Sequence, residues 1–333
     1  MPRVSVLLPV RDGAPTLGPC LDSLLGQTLR DHEVIAVDDG STDGTDVLLD
    51  ARAAVDSRLR VLHTPPRGLA QALNLALEAA RAPLLARMDA DDVASPVRLA
   101  RQADRLERDP STDVLSCRVE LLGDSGKAGM RAYVEWLNRL VDHDAIVRDL
   151  FVESPLVHPS VAMRAAALRR LGGYRDFDGP EDYDLWLRAW EAGLRFAKLE
   201  ETLLAWRDQP RRLTRTDPRY APERFRAVKL ETLLRGPLSP GRPVIVWGAG
   251  PIGKGWARAL GKAGRVVAAF VEVDRRKIGQ TIHGAPVLPV ERAHDLGGAL
   301  HLAAVGQPGA RARIRAEAAR LGIVDGRDLV AVA

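Results

Sequence analysis

Three carboxylates lie within four residues directly after the β-rich run 83–88: Asp89, Asp91 and Asp92. Carboxylates this close together repel one another and lose hydration at the end of a buried strand, and a cation relieves both penalties. Mg²⁺ and Mn²⁺ prefer hard oxygen ligands, and Mg²⁺ fills its remaining positions with phosphates and water. The spacing therefore predicts a divalent-cation site, with one of Asp89 and Asp91 directed to the metal and the other to a ribose. A solvated turn is the alternative.

A second pair of carboxylates, Asp38 and Asp39, ends the β-rich run 33–37 and is followed by Gly40 and Ser41. Successive strand residues point to opposite faces of a sheet, so we expect only one of the two aspartates to face a ligand crevice. Aspartate is also favoured in turns and at helix starts for purely local reasons. A turn-and-cap role therefore stays open for both.

A third acidic pair, Glu181 and Asp182, follows Pro180 at the start of a predicted helix over 181–192. The apolar stripe of that helix includes Trp186, which leaves the two acids at the mouth of the helix. A carboxylate held there can take a proton from a hydroxyl within hydrogen-bond reach. Because acids also favour the positive end of a helix dipole, a structural role is the alternative.

Short β-rich runs and helical patterns alternate through the first part of the chain and position these carboxylates. The predicted strands cover residues 4–10, 33–37, 59–63, 83–88 and 113–122. This order predicts an α/β fold with a parallel sheet, helices on its faces and right-handed crossovers. Because ligands of such sheets bind at the carboxyl ends of the strands, we expect the chemistry directly after Val10, Val37, His63 and Met88.

The remaining chain predicts a second, smaller domain. Helices are predicted over 133–151 and 221–234, with a short strand near 159–163. Glycine and proline then crowd into residues 236–243, which is typical of a linker. With 333 residues the chain is long enough for two domains, and we place them at 1–235 and 236–333.

The second domain opens with a glycine-rich loop between a predicted strand over 244–247 and a helix ending at Ala263. The glycines of a G-x-G-x-x-G pattern and the acids that follow the next strand are Gly248, Gly250, Gly253, Glu272 and Asp274. The pattern predicts a small Rossmann-type domain in which an acid such as Asp274 binds a ribose. Nucleotide binding, a regulatory or oligomerising role, and glycines kept only for close packing all stay open.

Composition narrows the class of protein. Apolar residues make up 46% and charged residues 28%, which excludes a largely disordered chain. The apolar runs are too short to cross a bilayer and no cleavable signal precedes the first one, so we expect a cytoplasmic protein. The net charge of +4 is spread among mixed charges, which argues against a nucleic-acid partner. Two distant cysteines and the absence of HExxH argue against a disulfide framework and a zinc site.

In their order along the chain these motifs resemble family 2 glycosyltransferases, inverting enzymes of the GT-A fold that use nucleotide sugars. The matching stretches, spread over residues 2–234, are Pro9-Val10-Arg11, Val37-Asp38-Asp39-Gly40-Ser41, Gly68-Leu69-Ala70 with Asn74, Arg87-Met88-Asp89-Ala90-Asp91-Asp92, and Glu181-Asp182-Tyr183-Asp184-Leu185-Trp186. The resemblance implies a GT-A-type, Rossmann-like α/β/α nucleotide-sugar domain, followed by the smaller Rossmann-like domain.

The resemblance also implies roles for individual residues. The nucleotide sugar would be held by Pro9, Val10, Arg11, Asp39, Arg67 and Asp89. Asp91 would ligate Mn²⁺ or Mg²⁺, and Asp182 would be the general base. Secondary candidates for the same site are Asp38, Asp92, His158, Glu181 and Arg207.

Two departures from the family pattern concern the donor site. The segment 204–212 carries arginines but no histidine, where family members often place a histidine near the metal or the diphosphate. Its arginines, including Arg207, either clamp the diphosphate or belong to a solvated loop. Arg11 stands where relatives often carry an aromatic residue, which leaves the nucleobase contact open.

We therefore expect a metal-dependent inverting glycosyltransferase that moves a sugar from a nucleotide sugar, a UDP-sugar, to a hydroxyl of a glycan or lipid-linked acceptor in cell-surface polysaccharide synthesis. The alternatives are an NAD-type oxidoreductase or regulatory protein centred on Gly248–Gly253, and a catalytically inactive sugar-nucleotide binder. Peripheral membrane contact through residues 207–226 and homo-oligomerisation stay open.

Overall fold

The computed structural model describes residues 1–123, 128–209 and 212–333, which form two compact units. The first unit comprises residues 1–146 and 155–220, and the second comprises residues 147–154 and 221–333. In the described part of the chain, no helix combines the length and the apolar character that a bilayer crossing requires.

The first unit is built on one mixed sheet whose first strands are parallel. Its strands are β1 (Val4–Val10), β2 (His32–Asp39), β3 (Leu59–Thr64), β4 (Leu84–Arg87), β5 (Val93–Ala94), β6 (Val114–Leu122), β7 (Ala162–Arg164) and β8 (Phe196–Arg207). Their order across the sheet is β3-β2-β1-β4-β7-β6-β8-β5. The strands from β3 to β4 in this order run parallel, whereas β7 runs antiparallel to both of its neighbours. The predicted α/β fold is confirmed, and β2 and β4 both deliver their carboxylates to the same edge.

Helices cover the faces of this sheet and bury apolar side chains against it. They are α1 (Ala14–Leu25), α2 (Thr45–Ala53), α3 (Leu69–Ala79), α4 (Arg98–Arg108), α5 (Ala128–Arg139), α6 (His143–Arg148), α7 (Ala165–Arg170) and α8 (Glu181–Glu191). The short helix α9 (Leu213–Thr216) follows the last strand and has no buried residue. Leu17, Leu21 and Leu24 recur at helical spacing on α1, and all three are fully buried in the core.

Loops at the carboxyl edge of the sheet are held to one another by hydrogen bonds. The backbone N of Asp12 donates to Ser41 Oγ (2.9 Å), and Asp12 Oδ1 accepts from the backbone N of Thr42 (2.8 Å). A Cβ on Gly13 would lie 2.9 Å from Val10 Cγ1 and 3.5 Å from the Cβ of Ala90. The loop after β1 therefore contacts both the loop after β2 and the Asp-x-Asp turn after β4.

The helix predicted over 133–151 is wrong in its extent, because two helices occupy that segment. α5 ends at Arg139 and α6 begins at His143. Between them, Asp142 Oδ1 accepts from the backbone N of Ala145 at 2.8 Å. This side-chain bond satisfies an otherwise unpaired N–H in the first turn of α6, so Asp142 starts a new helix inside a continuous helical pattern.

The main segment of the second unit begins at Ala221, before the predicted boundary at 236, because the helix α10 (Pro222–Arg235) packs within this unit. Lys229 Nζ donates to the carbonyl oxygen of Val152 at 2.9 Å, and both residues belong to this unit. Leu233 is fully buried on the same helix. The second compact unit therefore includes α10, the helix ahead of the linker. A domain boundary at 235/236 stays a prediction.

The rest of the second unit is a Rossmann-like sheet of parallel strands, except that its edge strand Thr281–Ile282 runs antiparallel to its neighbour. Its elements are β9 (Val244–Trp247), α11 (Pro251–Lys262), β10 (Val267–Val271), β11 (Thr281–Ile282), β12 (Ala285–Leu288), β13 (Leu300–Ala303), α12 (Ala310–Arg320) and β14 (Leu329–Ala331). The sheet order is β11-β12-β10-β9-β13-β14. From β9 the chain continues first to β10 on one side and later to β13 on the other side. This reversal of strand order makes a topological switch point beside the loop that follows β9.

Candidate active site

The Asp-x-Asp turn after β4 gathers three carboxylates into one small cluster. One oxygen from each of Asp89, Asp91 and Asp92 lies within 4.8 Å of the others. Cys20 Sγ donates to the carbonyl oxygen of Asp89 (3.3 Å), which fixes this turn against α1. The three side chains come from four consecutive residues, and the bond from α1 holds their turn in place.

The segment after β8 is bonded to the same turn. The backbone N of Arg207 donates to Asp92 Oδ1 (2.7 Å), and Arg207 Nε donates to the carbonyl oxygen of Asp91 (2.8 Å). Gln209 Nε2 donates to Asp91 Oδ2 (2.6 Å). Arg207, predicted as a diphosphate clamp, thus orders the acidic turn through its backbone and its Nε. Arg211, another arginine of that predicted clamp, lies outside the described residues.

The protonation of the cluster reflects burial and mutual repulsion. Burial and the nearby Asp89 raise the pKa of Asp91, and burial with both neighbouring aspartates raises the pKa of Asp92 well above its usual range. Asp92 Oδ2 is buried and has no hydrogen-bond partner among the described residues. A hard divalent cation would compensate these carboxylates and take their oxygens as ligands, so the donor set fits Mg²⁺ or Mn²⁺.

Arg87, the last residue of β4, forms an ion pair with Asp89 through Nη1. Its side chain is almost completely buried. The same guanidinium acts electrostatically on Glu181 and Asp182, since it lowers the pKa of each against the larger effect of burial. Arg87 therefore lies within electrostatic reach of both the Asp-x-Asp turn and the start of α8.

Asp182 lies in the first turn of α8 with an unusually basic carboxylate. Burial, reinforced by the neighbouring Glu181, raises the pKa of Asp182 to about 8. The backbone N of Tyr183 donates to Asp182 Oδ1 at 2.7 Å. A raised pKa matches a carboxyl that must accept a proton near neutral pH, which is the requirement for a general base.

Glu181 is held by buried neighbours that carry no charge. Tyr220 Oη donates to Glu181 Oε2 at 2.6 Å, while His158 Nδ1 lies 3.9 Å from Glu181 Oε1. Burial and the positive charge of Arg87 lower the pKa of His158 well below its usual value, so the ring is neutral and the pair is no salt bridge. His158 Nε2 lies 3.1 Å from Tyr174 Oη, and the ring contacts Trp186 edge-on. The structure thus places His158 in the packing beneath α8.

The acidic pair at the end of β2, Asp38 and Asp39, has a partner on each carboxylate oxygen. Asp39 Oδ1 accepts from the backbone N of Arg67 (2.6 Å) and Oδ2 from that of Gly68 (2.9 Å). Asp38 Oδ1 accepts from the backbone N of Ser41 (3.1 Å), and Asp38 Oδ2 lies 3.1 Å from His63 Nδ1. Asp39 thereby fixes the loop that carries Arg67, whose side chain is exposed, whereas Asp38 contacts the next turn and β3.

The predicted nucleobase segment lies at the end of β1. Pro9 and Val10 are buried within the strand, and Arg11 is exposed at the start of the following loop. This placement brings Arg11 to the same edge of the sheet as the Asp-x-Asp turn, because β1 pairs in parallel with β4. The nucleobase roles of these residues stay predictions.

Three residues that contact the site were given no role in the sequence analysis: Arg87, Gln209 and Tyr220. Arg87 is part of the Asp-x-Asp motif, so its position at the end of a buried strand was a usable signal. Gln209 and Tyr220 come from the segment after β8, far away in sequence, and no local pattern marks them.

The comparisons with known proteins bear on the first unit. The family model described as "Glycosyl transferase family 2" matches residues 5–172. The putative glycosyltransferase EpsE of Bacillus subtilis (strain 168) is 32% identical over 212 residues, which cover 62% of this chain and 73% of EpsE. The chain belongs to glycosyl transferase family 2. Family membership makes it a glycosyltransferase. The matched residues 5–172 end before the loop that follows β9, so the nucleotide-binding role of that loop stays a prediction.

Two further relatives of this family 2 glycosyltransferase are informative. The amylovoran biosynthesis glycosyltransferase AmsE of Erwinia amylovora is 32% identical over 193 residues, covering 56% of this chain and 69% of AmsE. The mannosyltransferase PcManGT from Pyrobaculum calidifontis, solved in complex with GDP-Man and Mn²⁺, shares 26% identity with a TM-score of 0.51. That match covers 61% of this chain and 56% of PcManGT, little more than half of its length. The GT-A fold expected for the first unit is confirmed.

The second unit of this glycosyltransferase has a well-formed glycine loop after β9. A Cβ on Gly248 (φ +100°) would overlap the Val305 side chain, and one on Gly253 would overlap the carbonyl oxygen of Gly248. A Cβ on Gly250 would meet nothing within 4 Å. The first and third glycines are therefore required by packing, while the second leaves open space at the N-terminus of α11.

The acid that contacts this loop is Glu272 and not Asp274. Glu272 Oε2 accepts from the backbone N of Ala249 at 3.0 Å. Asp274 Oδ1 instead accepts from the backbone N of Arg276 (3.1 Å) and pairs with its guanidinium. The ribose role of Asp274 stays a prediction, but the structure directs its carboxylate to a turn of its own.

Gly253→Ala should destabilise the second unit, whereas Gly250→Ala should leave it unchanged. The new methyl group at 253 would collide with backbone that cannot move away easily, and such overpacking costs about 1–3 kcal/mol. Urea unfolding of the two variants and the wild type measures this difference. Equal stability of the two variants would contradict the packing role of Gly253.

Proposed function

We propose that this family 2 glycosyltransferase is a metal-dependent inverting enzyme that transfers a sugar from a UDP-sugar to an acceptor hydroxyl. The observation that carries the proposal is the placement of Arg87. It is paired with Asp89 of the acidic turn and acts electrostatically on Asp182 at the start of α8. The acidic turn would bind the donor, and Asp182 is the basic carboxylate. Because the buried Arg87 guanidinium interacts with both, the arrangement fits a reaction in which both act on the same sugar.

The acidic turn is the part that would hold the donor. Asp91 and its neighbours would bind Mn²⁺ or Mg²⁺, which supplies compensation for the negative charge that develops on a departing diphosphate. Gln209 and Arg207 hold this turn in place through their bonds to Asp91. Asp39 orders the loop of Arg67, so that the exposed Arg67 guanidinium is available to a phosphate or a base.

Asp182 would act on the acceptor. Its carboxylate takes the proton from the acceptor hydroxyl while that oxygen attacks the anomeric carbon, and the bond from that carbon to the diphosphate oxygen breaks on the opposite face. One displacement inverts the stereochemistry and needs no covalent intermediate. Glu181 supports Asp182 indirectly. The carboxylate of Glu181 accepts a hydrogen bond from Tyr220 and packs against His158, so Glu181 itself is not assigned as the base.

The relatives support a proposal for the acceptor class. AmsE is named as a biosynthetic glycosyltransferase for amylovoran, which supports a glycan or lipid-linked acceptor in cell-surface polysaccharide synthesis. PcManGT was solved with a guanosine nucleotide sugar, so GDP-sugars are the direct competitors of the proposed UDP-sugars. We propose that the reaction takes place on the cytoplasmic side.

A nucleotide-sugar hydrolysis panel with and without divalent cation tests the proposal. We expect release of UDP from a UDP-sugar with Mn²⁺ or Mg²⁺, and loss of release with EDTA. Release of GDP alone would transfer the proposal to GDP-sugars, and turnover that persists in EDTA would exclude the metal. Calorimetry with UDP and Mn²⁺ identifies an inactive sugar-nucleotide binder, which would bind without turnover. A parallel titration with NAD tests the glycine loop of the second unit.

The pH dependence of transfer should report the ionisation of Asp182. Because the pKa of Asp182 is raised to about 8, the carboxylate that accepts the proton is a minority species at pH 7. We therefore expect kcat/KM to rise about tenfold per pH unit below pH 8 and to level off above it. Initial rates between pH 6 and 9, at constant ionic strength and free Mn²⁺, measure this profile. A flat profile over that range would exclude a base with this pKa.

A further inference from the structure

Two arginines lie fully inside the first unit close to the acidic turn, and they are held in different ways. Arg98 donates from Nη2 to the carbonyl oxygen of Arg87 (2.8 Å) and from Nε to Gln102 Oε1 (3.1 Å). Arg98 therefore has fixed hydrogen-bond partners that tie α4 to β4. Its guanidinium is part of the scaffold.

Arg87 lacks such anchors. Its side chain is 5% exposed, yet Nε has no hydrogen-bond partner among the described residues. The guanidinium is held by the ion pair with Asp89. A buried guanidinium normally satisfies its N–H groups, and one that is held mainly by charge is free to respond when the charges around it change.

Most of the titratable groups around Asp182 are neutral or acidic, so Arg87 is a principal source of positive charge there. Tyr174 and Tyr220 have pKa values raised by burial, and His158 has a lowered pKa, so all three are neutral. Glu181 lies beside Asp182 on α8, and Arg219 acts on Glu181 from the segment after α9. The backbone N of Arg87 donates to the carbonyl oxygen of Val161 at 2.9 Å, which packs β4 against the 158–161 segment. His158 of that segment lies 3.9 Å from Glu181 Oε1, so the start of α8 is close by, and Arg87 acts on both acids from β4.

We propose that Arg87 is a positioning residue that serves as the shared counter-ion of the acidic turn and of Asp182, and so couples donor binding to the base. This inference rests on the proposed function. Asp89 is both the ion-pair partner of Arg87 and a predicted ligand of the donor. When the donor engages Asp89, the positive charge of Arg87 is less compensated by that carboxylate. Its field then favours ionisation of the acids at the start of α8 more strongly.

The coupling predicts opposite effects on two measurable properties. Arg87→Met removes a positive charge beside the acidic turn, so binding of Mn²⁺ alone should be unchanged or tighter. The same change removes the charge that favours ionised Asp182, so the midpoint of the kcat/KM profile should move upward by about one pH unit or more. If Arg87 were merely structural, Arg87→Met would weaken Mn²⁺ binding and lower kcat/KM at every pH, and the midpoint would stay in place.

Calorimetric titration with Mn²⁺ and pH–rate profiles of Arg87→Met, Arg87→Lys and Arg98→Lys test the proposal. Arg87→Lys keeps the charge and should keep the wild-type midpoint. Arg98→Lys is the matched buried control and should lower the Tm without moving the midpoint. An unshifted midpoint in Arg87→Met, or equal shifts in Arg87→Lys and Arg87→Met, would overturn the coupling.

The outcomes separate this inference from the proposed function. A wild-type enzyme without metal-dependent transfer would refute the function itself. Normal wild-type transfer with unshifted Arg87 variants would refute only the coupling. If Arg87→Met does not fold, Arg87→Lys provides the test. Lysine keeps the positive charge, so a midpoint that differs from the wild type would contradict a role of Arg87 through its charge.

Discussion

Asp182→Asn should lower the rate of sugar transfer by about 10²–10⁴-fold while the affinity for the nucleotide sugar stays within about twofold of the wild type. The amide keeps the size and the hydrogen bond from the backbone N of Tyr183 but cannot accept the acceptor's proton. The donor is assigned to the acidic turn after β4, so removing the base should leave its binding intact. Initial rates and calorimetry with donor and Mn²⁺ measure the two effects separately.

The same substitution should stabilise the fold in a pH-dependent way. The folded state raises the pKa of Asp182 to about 8, above its ordinary value of 3.8, so folding holds the proton more tightly than the unfolded chain does. Wild-type stability is therefore reduced progressively as pH rises from about 4 to about 8, and the reduction is complete above pH 8. Asparagine carries no such proton. The Tm of Asp182→Asn should exceed that of the wild type at pH 8.5 and approach it near pH 4.

Asp184→Asn is the matched control on the same helix. Asp184 is buried, and it pairs with Arg175 (2.8 Å) and with Arg188 (2.6 Å). Removing its charge leaves the largely buried Arg188 guanidinium less compensated, so the Tm should fall. The protein that remains folded should keep the wild-type pH–rate profile. Two acids two residues apart should thus change stability in opposite directions. If Asp182→Asn turns over at the wild-type rate, Asp182 is not the base.

How far the sequence predicts this molecule depends on how local each cause is. The acidic turn could be predicted because a buried strand followed by Asp89, Asp91 and Asp92 contains the whole arrangement within a few residues. The split of the helix predicted over 133–151 could not, because it depends on one capping bond at Asp142 within an unbroken apolar pattern.

The partners of the site depend on contacts between distant parts of the chain. Gln209 contacts Asp91, and Tyr220 contacts Glu181, only because β8 returns beside β6 and delivers the following segment to this edge. Which of Glu272 and Asp274 contacts the glycine loop also depends on the folded structure. Both acids follow β10 at a suitable spacing, and only the folded turn directs Glu272 to the glycine loop.

Asp91→Asn should abolish metal-stimulated transfer, with a loss of about 10²–10³-fold in kcat/KM at saturating Mn²⁺. Compensation of the leaving diphosphate by a bound cation contributes several kcal/mol to the reaction, and each 1.36 kcal/mol corresponds to about tenfold in rate. Asp91 is only partly buried and its Oδ2 is bonded to Gln209, so the amide fits the site without a large loss of stability. Mn²⁺ titration by calorimetry, together with rates at increasing Mn²⁺, measures the change.

Asp92→Asn decides which carboxylates of the turn take the cation. Asp92 is 1% exposed, its Oδ1 accepts from the backbone N of Arg207, and its raised pKa favours the neutral carboxyl that an amide resembles. If Asp92 serves mainly to hold the segment after β8, its asparagine variant should bind Mn²⁺ almost like the wild type, while Asp91→Asn does not. Equal losses in both variants would make Asp92 a ligand as well. If both variants bind Mn²⁺ with wild-type affinity, the cation does not bind at this turn. A bound cation would then no longer explain why three carboxylates lie together at the end of β4.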